Sequence, residues 1–416
     1  MPDTSGYPFW KRNLYVVTFA MIVVQMGFAF VFPFMPLFLQ QIGIPDQQQA
    51  AFWTGVFTTI GATTMALLSP MWGILADRHG RKPLLLRAMF GGSIAVALLS
   101  LAANSMHVLV LRVLHGAMSG VLAPAMALVA ASAPRSQIGY AMGMTQMGIS
   151  IGQAFGPALG GLSADAIGFR PTFALAGGML GISGLIVFLI VVEKFQRPEP
   201  TALTAPTSPW RGLWQSMTSR QMAPALIAVF FTNMATSVAF PVLSVFISSI
   251  DHSDQVASIS GLAFSITGTL GAVSAIVSGK LSQRVGLKPI LVGTCLLGGL
   301  VVIPQALVRT IPELLVLMAV QGLCNGGMIT AASAMVGRNT ARERQGTAFG
   351  AAGAATSLAY AVGPLSGGSI AAVAGLPAVF IFAGLVYLVM GVGALKILDA
   401  SSEPKEPQVG GEVPEA

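Results

Sequence analysis

Long apolar runs, each about the length of a membrane-crossing helix, recur along the whole chain and are separated by short polar turns. A helix rises about 1.5 Å per residue, so about 20 apolar residues cross the hydrocarbon core of a bilayer. The pattern therefore predicts an all-α integral membrane protein with twelve transmembrane helices. We expect them near residues 14–39, 51–72, 84–103, 108–130, 141–162, 171–192, 223–249, 257–279, 289–308, 314–336, 346–369 and 376–396.

Composition supports this fold class and argues against several others. Hydrophobic residues make up 54% of the 416 residues and charged residues only 9%, whereas soluble proteins carry about 25% charged residues. The short turns leave no room for a catalytic domain, and no metal cluster, phosphate loop or nucleophile constellation stands out. We therefore expect neither an enzyme nor a bound metal or cofactor. Cys295 and Cys324 lie in apolar runs and are expected to be packing residues.

Basic residues predict how the spans are oriented. Nearly all lysines and arginines fall on one side of the predicted bilayer, whereas Arg170 and Arg309 fall on the other side and Arg112 lies within a span. The positive-inside rule then places both termini in the cytoplasm. The net charge of +7 belongs to one membrane surface, and no nucleic-acid partner is expected.

The sequence also repeats itself at a nearly constant spacing. Residues 80–83 (GRKP) return as 286–289 (GLKP), 206 positions later, and residues 156–161 (GPALGG) return as 363–368 (GPLSGG), 207 positions later. A duplicated six-span unit enters the membrane twice in the same direction, giving two parallel-repeat six-helix bundles with a binding site between them near the midplane. We therefore divide the chain into an N-terminal bundle (1–192), a cytoplasmic linker (193–222), a C-terminal bundle (223–400) and a disordered cytoplasmic tail (401–416).

A charged segment between the second and third predicted spans stands out against the apolar background. It reads Gly73-Ile74-Leu75-Ala76-Asp77-Arg78-His79-Gly80-Arg81-Lys82 and is expected to form a tight loop at the membrane surface. Gly73 and Asp77 share a helical face, where a carboxylate can meet the positive N-terminal end of a neighbouring helix. A plain basic anchor would not need this spacing. The segment resembles the signature loop of the major facilitator superfamily. The resemblance implies the fold of that superfamily and a gating role for Gly73, Asp77, Arg78, Gly80 and Arg81, with Asp77 contacting the start of the eleventh span.

Three more stretches resemble the drug/proton antiporter branch of that superfamily. Residues 27–36 look like its first-span motif, and residues 112–116 (RVLHG) resemble the fourth-span motif, whose arginine is implicated in proton coupling. Residues 152–161 (GQAFGPALGG) resemble the fifth-span motif typical of exporters, which implies a gating role for Gly152, Gly156, Pro157 and Gly160. Glycines at every fourth position permit close helix approach, and a proline bends a helix, so ordinary packing explains the same pattern.

The chain departs from that branch in its acidic residues. Gln283 stands in the second copy of the loop where the first copy has Asp77, and none of the 15 acidic residues falls clearly inside a span. Many drug/proton antiporters use a buried carboxylate to carry the proton and to attract cationic drugs. A cavity with an arginine and no carboxylate favours anionic, zwitterionic or neutral amphiphiles over cations.

Arg112 and His115 are the leading candidates for the substrate and proton pathway. An arginine within the bilayer is costly, and His115 lies on the same helical face and titrates near neutral pH. Snorkelling of Arg112 to the headgroups and plain hydrogen bonding of His115 are the structural alternatives. Five further polar residues within spans could line the pathway or make interhelical hydrogen bonds: Gln25, Gln146, Asn233, Asn325 and Tyr360.

The resulting hypothesis is a monomeric multi-pass transporter of the bacterial inner membrane. It exports small amphiphilic drugs or metabolites in exchange for protons, by alternating access, with the proton gradient as its energy source and no cofactor. Two alternatives stay open: a facilitator or importer of a small metabolite, and a membrane receptor or scaffold that has lost turnover. Flux direction and substrate range would identify the first alternative, and binding without flux the second.

Overall fold

The computed structural model describes residues 9–134, 137–193, 222–251, 253–338 and 345–397. Within these ranges the regular secondary structure is entirely helical. The predicted linker, apart from its end residues Glu193 and Met222, and the predicted tail lie outside the described residues. We number the membrane-crossing segments span 1 to span 12 in chain order.

Six spans form the N-terminal half, and two of them are interrupted. Span 1 consists of helices Trp10–Ala29 and Met35–Gln41 with the 3-10 turn Phe32–Phe34 between them, and span 4 consists of helices Ser105–Met118 and Leu122–Ser132. Spans 2, 3, 5 and 6 are the helices Gln47–His79, Arg81–Leu99, Ile138–Ile167 and Phe169–Ile190. Pro33 lies at the interruption of span 1, where its missing N–H cannot continue the helical ladder.

The C-terminal half follows the same order, and its main difference lies in span 10. Span 7 consists of helices Ala223–Val238 and Leu243–Ile250, and span 9 consists of helix Leu287–Val302 followed by the 3-10 turn Ile303–Leu307. Spans 8, 10, 11 and 12 are the helices Val256–Val285, Ile311–Arg338, Gln345–Ala374 and Leu376–Ile397. Span 10 is therefore continuous where its counterpart, span 4, is broken.

Eleven segments of the described chain are long and apolar enough to cross a membrane. Span 5 is not among them, although its helix has 30 residues, because glycines and the polar residues Gln146 and Gln153 lower its hydropathy. Span 5 packs between span 1 and span 8, as a membrane-crossing helix of the bundle would. The arrangement agrees with the twelve predicted helices.

The predicted loop over residues 73–82 is wrong in its extent. The helix of span 2 continues through His79, and only Gly80, with φ of 97°, separates it from span 3. Gly286, with φ of 86°, makes the same turn between spans 8 and 9, and positive φ favours glycine. Residues 74–79 include charged side chains but neither glycine nor proline, so the helix extends beyond the apolar run.

Helix packing follows the internal repeat. Span 1 packs on span 5, span 2 on span 4 and span 3 on span 6, and the C-terminal half pairs spans 7 and 11, 8 and 10, and 9 and 12 in the same way. The halves meet through span 5 with span 8 and through span 2 with span 11. We call the side with the turns at Gly80 and Gly286 the basic face, and the other side the opposite face.

The lysine of each repeated turn caps a neighbouring helix. Lys82 Nζ donates to two carbonyl groups at the C-terminal end of span 6, at 2.8 and 2.6 Å, and Lys288 Nζ donates to one near the end of span 12, at 3.0 Å. Glu193 accepts hydrogen bonds from the backbone N–H groups of Arg81 and Lys82 at the start of span 3. Cations at helix C-termini and carboxylates at N-termini are both stabilising, so these contacts tie span 3 to span 6 and span 9 to span 12.

Candidate functional site

Arg112 lies two turns into span 4 from the opposite face, and only 5% of its surface is exposed. Its guanidinium carbon lies 4.2 Å from the centre of the Phe32 ring, which the interruption of span 1 presents to it. The Nε atom is buried without a hydrogen-bond partner, and no described carboxylate pairs with the guanidinium. A cation–π contact of this kind stabilises a desolvated cation only in part, so the charge remains available to an anionic ligand.

His115 lies one turn further along span 4 and contacts the same aromatic cluster. Its ring meets the rings of Phe28 and Phe32 edge-on, with centroids 5.1 and 5.4 Å apart. The Oγ atom of Ser119 lies 3.3 Å from His115 Nδ1, which gives the ring one polar neighbour. The structure thus brings Arg112 and His115 together between spans 1 and 4, at the height where span 1 is interrupted.

The other predicted pathway residues have contacts or surroundings of their own. Gln25 is buried against Gly152 of span 5, Asn233 donates to a carbonyl of its own helix at 2.8 Å, and Asn325 accepts a hydrogen bond from Tyr387 at 2.6 Å. Two more, Gln146 and Tyr360, are exposed. Among the described residues, no hydrogen bond or ring contact joins any of the five to Arg112 or His115.

The predicted gating glycines of span 5 pack against span 1 of the same half. A side chain added at Gly152, Gly156 or Gly160 would collide with the span 1 backbone between residues 22 and 30. Pro157 lies on another face of the helix, where its carbonyl oxygen meets Gly261 of span 8 so closely that a Cβ there would overlap it. The motif therefore contributes both to packing within the half and to the contact between the halves.

A matching pair of close contacts joins the two halves. Gly261 of span 8 lies against the Pro157 carbonyl of span 5, and Gly55 of span 2 lies against the Pro364 carbonyl of span 11. Hydrogen bonds reinforce both contacts: Ala158 N to Ser265 Oγ at 3.0 Å and Thr59 Oγ1 to Ala361 O at 2.5 Å. All of these residues lie in the half of the bundle nearer the opposite face. We call this pair of contacts the seam; it closes the space between the halves on that side.

A carboxylate forms a hydrogen bond between the two halves at the end of the seam nearest the opposite face. Asp165, near the end of span 5, accepts a hydrogen bond from the backbone N–H of Ser258 at 2.6 Å, in the first turn of span 8. Helix N-termini attract negative charge, so this contact favours the closed seam. Gln47 adds a bond between the halves, from its Nε2 to Ser248 Oγ at 3.3 Å.

The structure describes the backbone of the charged segment over residues 73–82 and the side chains of some of its members. The side chains of Gly73, Asp77 and Arg78 lie outside the described part of the structure, as does the start of span 11 at side-chain level. The contact between Asp77 and span 11 therefore stays a prediction. The described members of the motif, Gly80 and Arg81, form the turn and the start of span 3.

Sequence reasoning missed the part played by Arg87. It was counted with the residues of the basic face, yet it lies two turns into span 3, where its guanidinium stacks 3.7 Å from the centre of the Trp72 ring and binds carbonyl groups of span 4. Its place within the predicted third span, 84–103, was the signal that it enters the membrane.

These features define a class of protein: a polytopic membrane transporter built from two pseudo-equivalent six-helix halves, closed towards one side and with a buried cationic site in one half. The sequence profile of the Major Facilitator Superfamily matches residues 17–311 and 304–415. The chain belongs to this superfamily, and it is a transporter rather than an enzyme.

Relatives and solved structures agree with the assignment. The chain is 34% identical over 383 residues to the Multidrug resistance protein MdtG of Proteus mirabilis (strain HI4320), covering 91% of this chain and 93% of the relative. It is 32% identical to MdtG of Escherichia coli (strain SMS-3-5 / SECEC), with 91% and 92% covered. A bacterial homologue of the human lysosomal transporter Spinster, inward-facing and occupied, superposes with a TM-score of 0.78 at 14% identity, covering 95% of this chain and 98% of that one. A POT family transporter in complex with 5-aminolevulinic acid gives 0.77 at 14% identity, with 93% and 97% covered.

Proposed function

We propose that this protein is a proton-coupled exporter of amphiphilic compounds and prefers anionic, zwitterionic or neutral molecules to cations. The observation that carries the proposal is Arg112, a buried guanidinium with one aromatic contact and no described carboxylate partner. A desolvated positive charge attracts anions and repels cations over several ångströms. The full-length similarity to multidrug resistance proteins supports export of amphiphiles as the direction and substrate class.

The orientation of the charges and the seam support an inward-facing state. Lysines and arginines concentrate at the basic face, so we propose that this face is cytoplasmic, that both termini lie there, and that the protein is a monomer of the bacterial inner membrane. The seam closes the opposite face, whereas Gly143 of span 5 and Gly353 of span 11, both nearer the basic face, have open space where a side chain would be. Substrate would then enter from the cytoplasm.

His115 is the proposed proton carrier. It lies beside Arg112 in the aromatic cluster of span 1 and is the titratable side chain of this site with a pKa near neutral in water. An anionic substrate at Arg112 would stabilise a protonated His115 and a cationic one would not, so substrate and proton would influence each other through this pair. The energy source is the proton gradient, without a cofactor.

Everted membrane vesicles energised with a proton gradient test the proposal. A panel of anionic, neutral and cationic amphiphiles is added, and collapse of the gradient is followed with a pH-sensitive dye. We expect anionic and neutral compounds to collapse the gradient. Arg112→Ala should reduce the response to anions about tenfold and leave neutral compounds nearly unchanged. Arg309→Ala, which removes an exposed arginine at the opposite face, is the matched control.

The outcomes separate the proposal from its rivals. An unchanged ratio of anionic to cationic responses in Arg112→Ala contradicts the charge preference. Compounds that cross reconstituted bilayers without any proton movement would identify a facilitator, and binding without flux would identify a receptor or scaffold.

A further inference from the structure

The break in span 4 frees carbonyl groups inside the membrane, and Arg87 of span 3 binds two carbonyl groups at the break. The first helix of span 4 ends at Met118, so its last carbonyl groups have no helical partner. Arg87 donates from one terminal nitrogen to Ala117 O at 3.4 Å and from the other to Ser119 O at 3.1 Å. Trp72 of span 2 donates its indole N–H to Ala117 O at 3.0 Å and stacks on the guanidinium at 3.7 Å. Two neighbouring spans thus hold one helix end.

Local sequence alone does not account for the break. Gly120 adopts a positive φ of 104° and Pro124 cannot donate to the preceding turn, and both favour an interruption. However, spans 5 and 11 contain Pro157 and Pro364 within continuous helices, so a proline does not by itself end a span in this protein. The cation at the helix C-terminus is the additional stabilising contact at this break.

Span 10, the counterpart of span 4, provides the internal control. Gly326 occupies the position of Gly120 but lies within a continuous helix. The position of Arg87 is taken by Gly293, around which there is open space, and that of Trp72 by Ser278. Thr330 stands at the position of Pro124, so the half without the break lacks the proline as well as the arginine and the tryptophan.

The helix end that Arg87 and Trp72 bind lies next to His115, the candidate proton carrier. Ser119, whose carbonyl accepts from Arg87, donates its hydroxyl to the backbone carbonyl of His115 at 2.5 Å and lies 3.3 Å from the His115 ring. We propose that Arg87 is a positioning residue that, together with Trp72, clamps the broken end of span 4 and so fixes His115 for proton exchange. The structural part of this inference stands on the contacts alone, and its functional part rests on the proposed proton coupling.

A distance measurement across the break tests the clamp directly. Spin labels are placed on cysteines introduced at Val110 and Ala131, which are exposed on the two helices of span 4, and the distance distribution is measured by double electron–electron resonance. We expect Arg87→Met to broaden the distribution and displace its mean. Gly120→Ala should displace the mean in the same direction, because alanine disfavours positive φ. Lys280→Met, which removes an exposed lysine of span 8, should coincide with the parent.

Graded variants show whether the contacts themselves matter. Arg87→Lys keeps the charge but cannot reach two carbonyl groups with a planar fork, so it should fall between the parent and Arg87→Met. Trp72→Phe removes one donor and should produce a smaller displacement, and it provides the test if Arg87→Met fails to fold. An Arg87→Met or Trp72→Phe distribution that coincides with the parent overturns the clamp.

Transport measurements test the positioning role. In proteoliposomes, Arg87→Met should lower the rate of substrate-driven proton exchange about tenfold and leave the dissociation constant of a fluorescent anionic amphiphile nearly unchanged, with partial recovery in Arg87→Lys. Equal losses of binding and exchange would contradict positioning of His115. If the parent itself exchanges no protons, the proposed function fails, whereas the distance measurement still decides the clamp.

Discussion

The two halves share one backbone plan but place different chemistry inside the membrane. Arg112 and His115 of span 4 correspond, 206 positions later, to Met318 and Gln321 of span 10. Gln321 accepts a hydrogen bond from Gln305 at 2.9 Å, and both side chains are buried. The C-terminal half therefore uses a neutral pair where the N-terminal half holds a cation and a titratable ring, and we expect charge coupling to depend on the N-terminal half.

The two contacts of the seam differ from each other much less than the interior side chains of spans 4 and 10 do. Gly261 lies on the Pro157 carbonyl in the same way as Gly55 lies on the Pro364 carbonyl. Both contacts need the absence of a side chain, because two helix backbones approach more closely than a Cβ permits. Duplication has thus preserved the geometry that closes the molecule and changed the side chains that would act on substrate and proton.

The largest effect is expected from filling the seam. Gly261→Val places a branched side chain against the Pro157 carbonyl, and overpacking of this kind costs about 1–3 kcal/mol. The closed seam should be destabilised, so the transport rate should fall at least about tenfold. Spin labels at the exposed positions Leu162 and Leu262, in spans 5 and 8, should move apart.

Symmetry supplies a second variant and a control for this prediction. Gly55→Val should impair transport as strongly as Gly261→Val, because it fills the equivalent contact. Gly178→Val, in span 6 where a side chain meets open space, should transport normally. Wild-type rates in either seam variant would contradict a closing role for the seam.

Much of this architecture could be predicted from the chain. The apolar runs and the 206-residue repeat predicted the all-helical membrane fold and its twelve spans, because lipid leaves few ways to satisfy a backbone. The extent of the turn at Gly80 was wrong, since hydropathy marks where a helix leaves the hydrocarbon and not where it ends. The breaks within spans 1, 4 and 7 were also missed, because apolar residues continue through them.

The contacts of the candidate site were harder to foresee. A glycine stripe on span 5 indicates close packing but does not say which neighbour it meets, and the structure places Gly152 against span 1 and Gly161 against span 8. Arg87 was counted with the basic residues of one membrane side. Its partners, Ala117 and Ser119, offer only backbone oxygens, which no sequence motif records.

A smaller effect is expected from the carboxylate of Asp165, which is present at only one of the two equivalent contacts of the seam. Asp165 caps the first turn of span 8, whereas the equivalent position in span 11 is Ala372. Asp165→Asn keeps the shape and an acceptor but removes the charge, which is worth about 0.3–1 kcal/mol at a helix N-terminus. The closed state should therefore lose about two- to fivefold in population, seen as a longer-distance component between labels at Leu162 and Leu262. Asp254→Asn, in the same surface cavity, is the control, and identical traces for both variants would argue against the cap.

The smallest effect on transport should come from the neutral network of the C-terminal half. Tyr387 is fully buried and donates to Asn325, so Tyr387→Phe removes one hydrogen bond and leaves an amide oxygen unpaired. Such a loss costs about 0.5–1.5 kcal/mol, and thermal unfolding in detergent should detect it as a lower midpoint. Tyr360→Phe, at a residue with 44% of its surface exposed, should leave the midpoint unchanged.

If this network only makes the C-terminal half rigid, the substrate-dependent proton signal of Tyr387→Phe should match the parent. A loss of coupling as large as that of Arg87→Met would instead place proton chemistry in both halves.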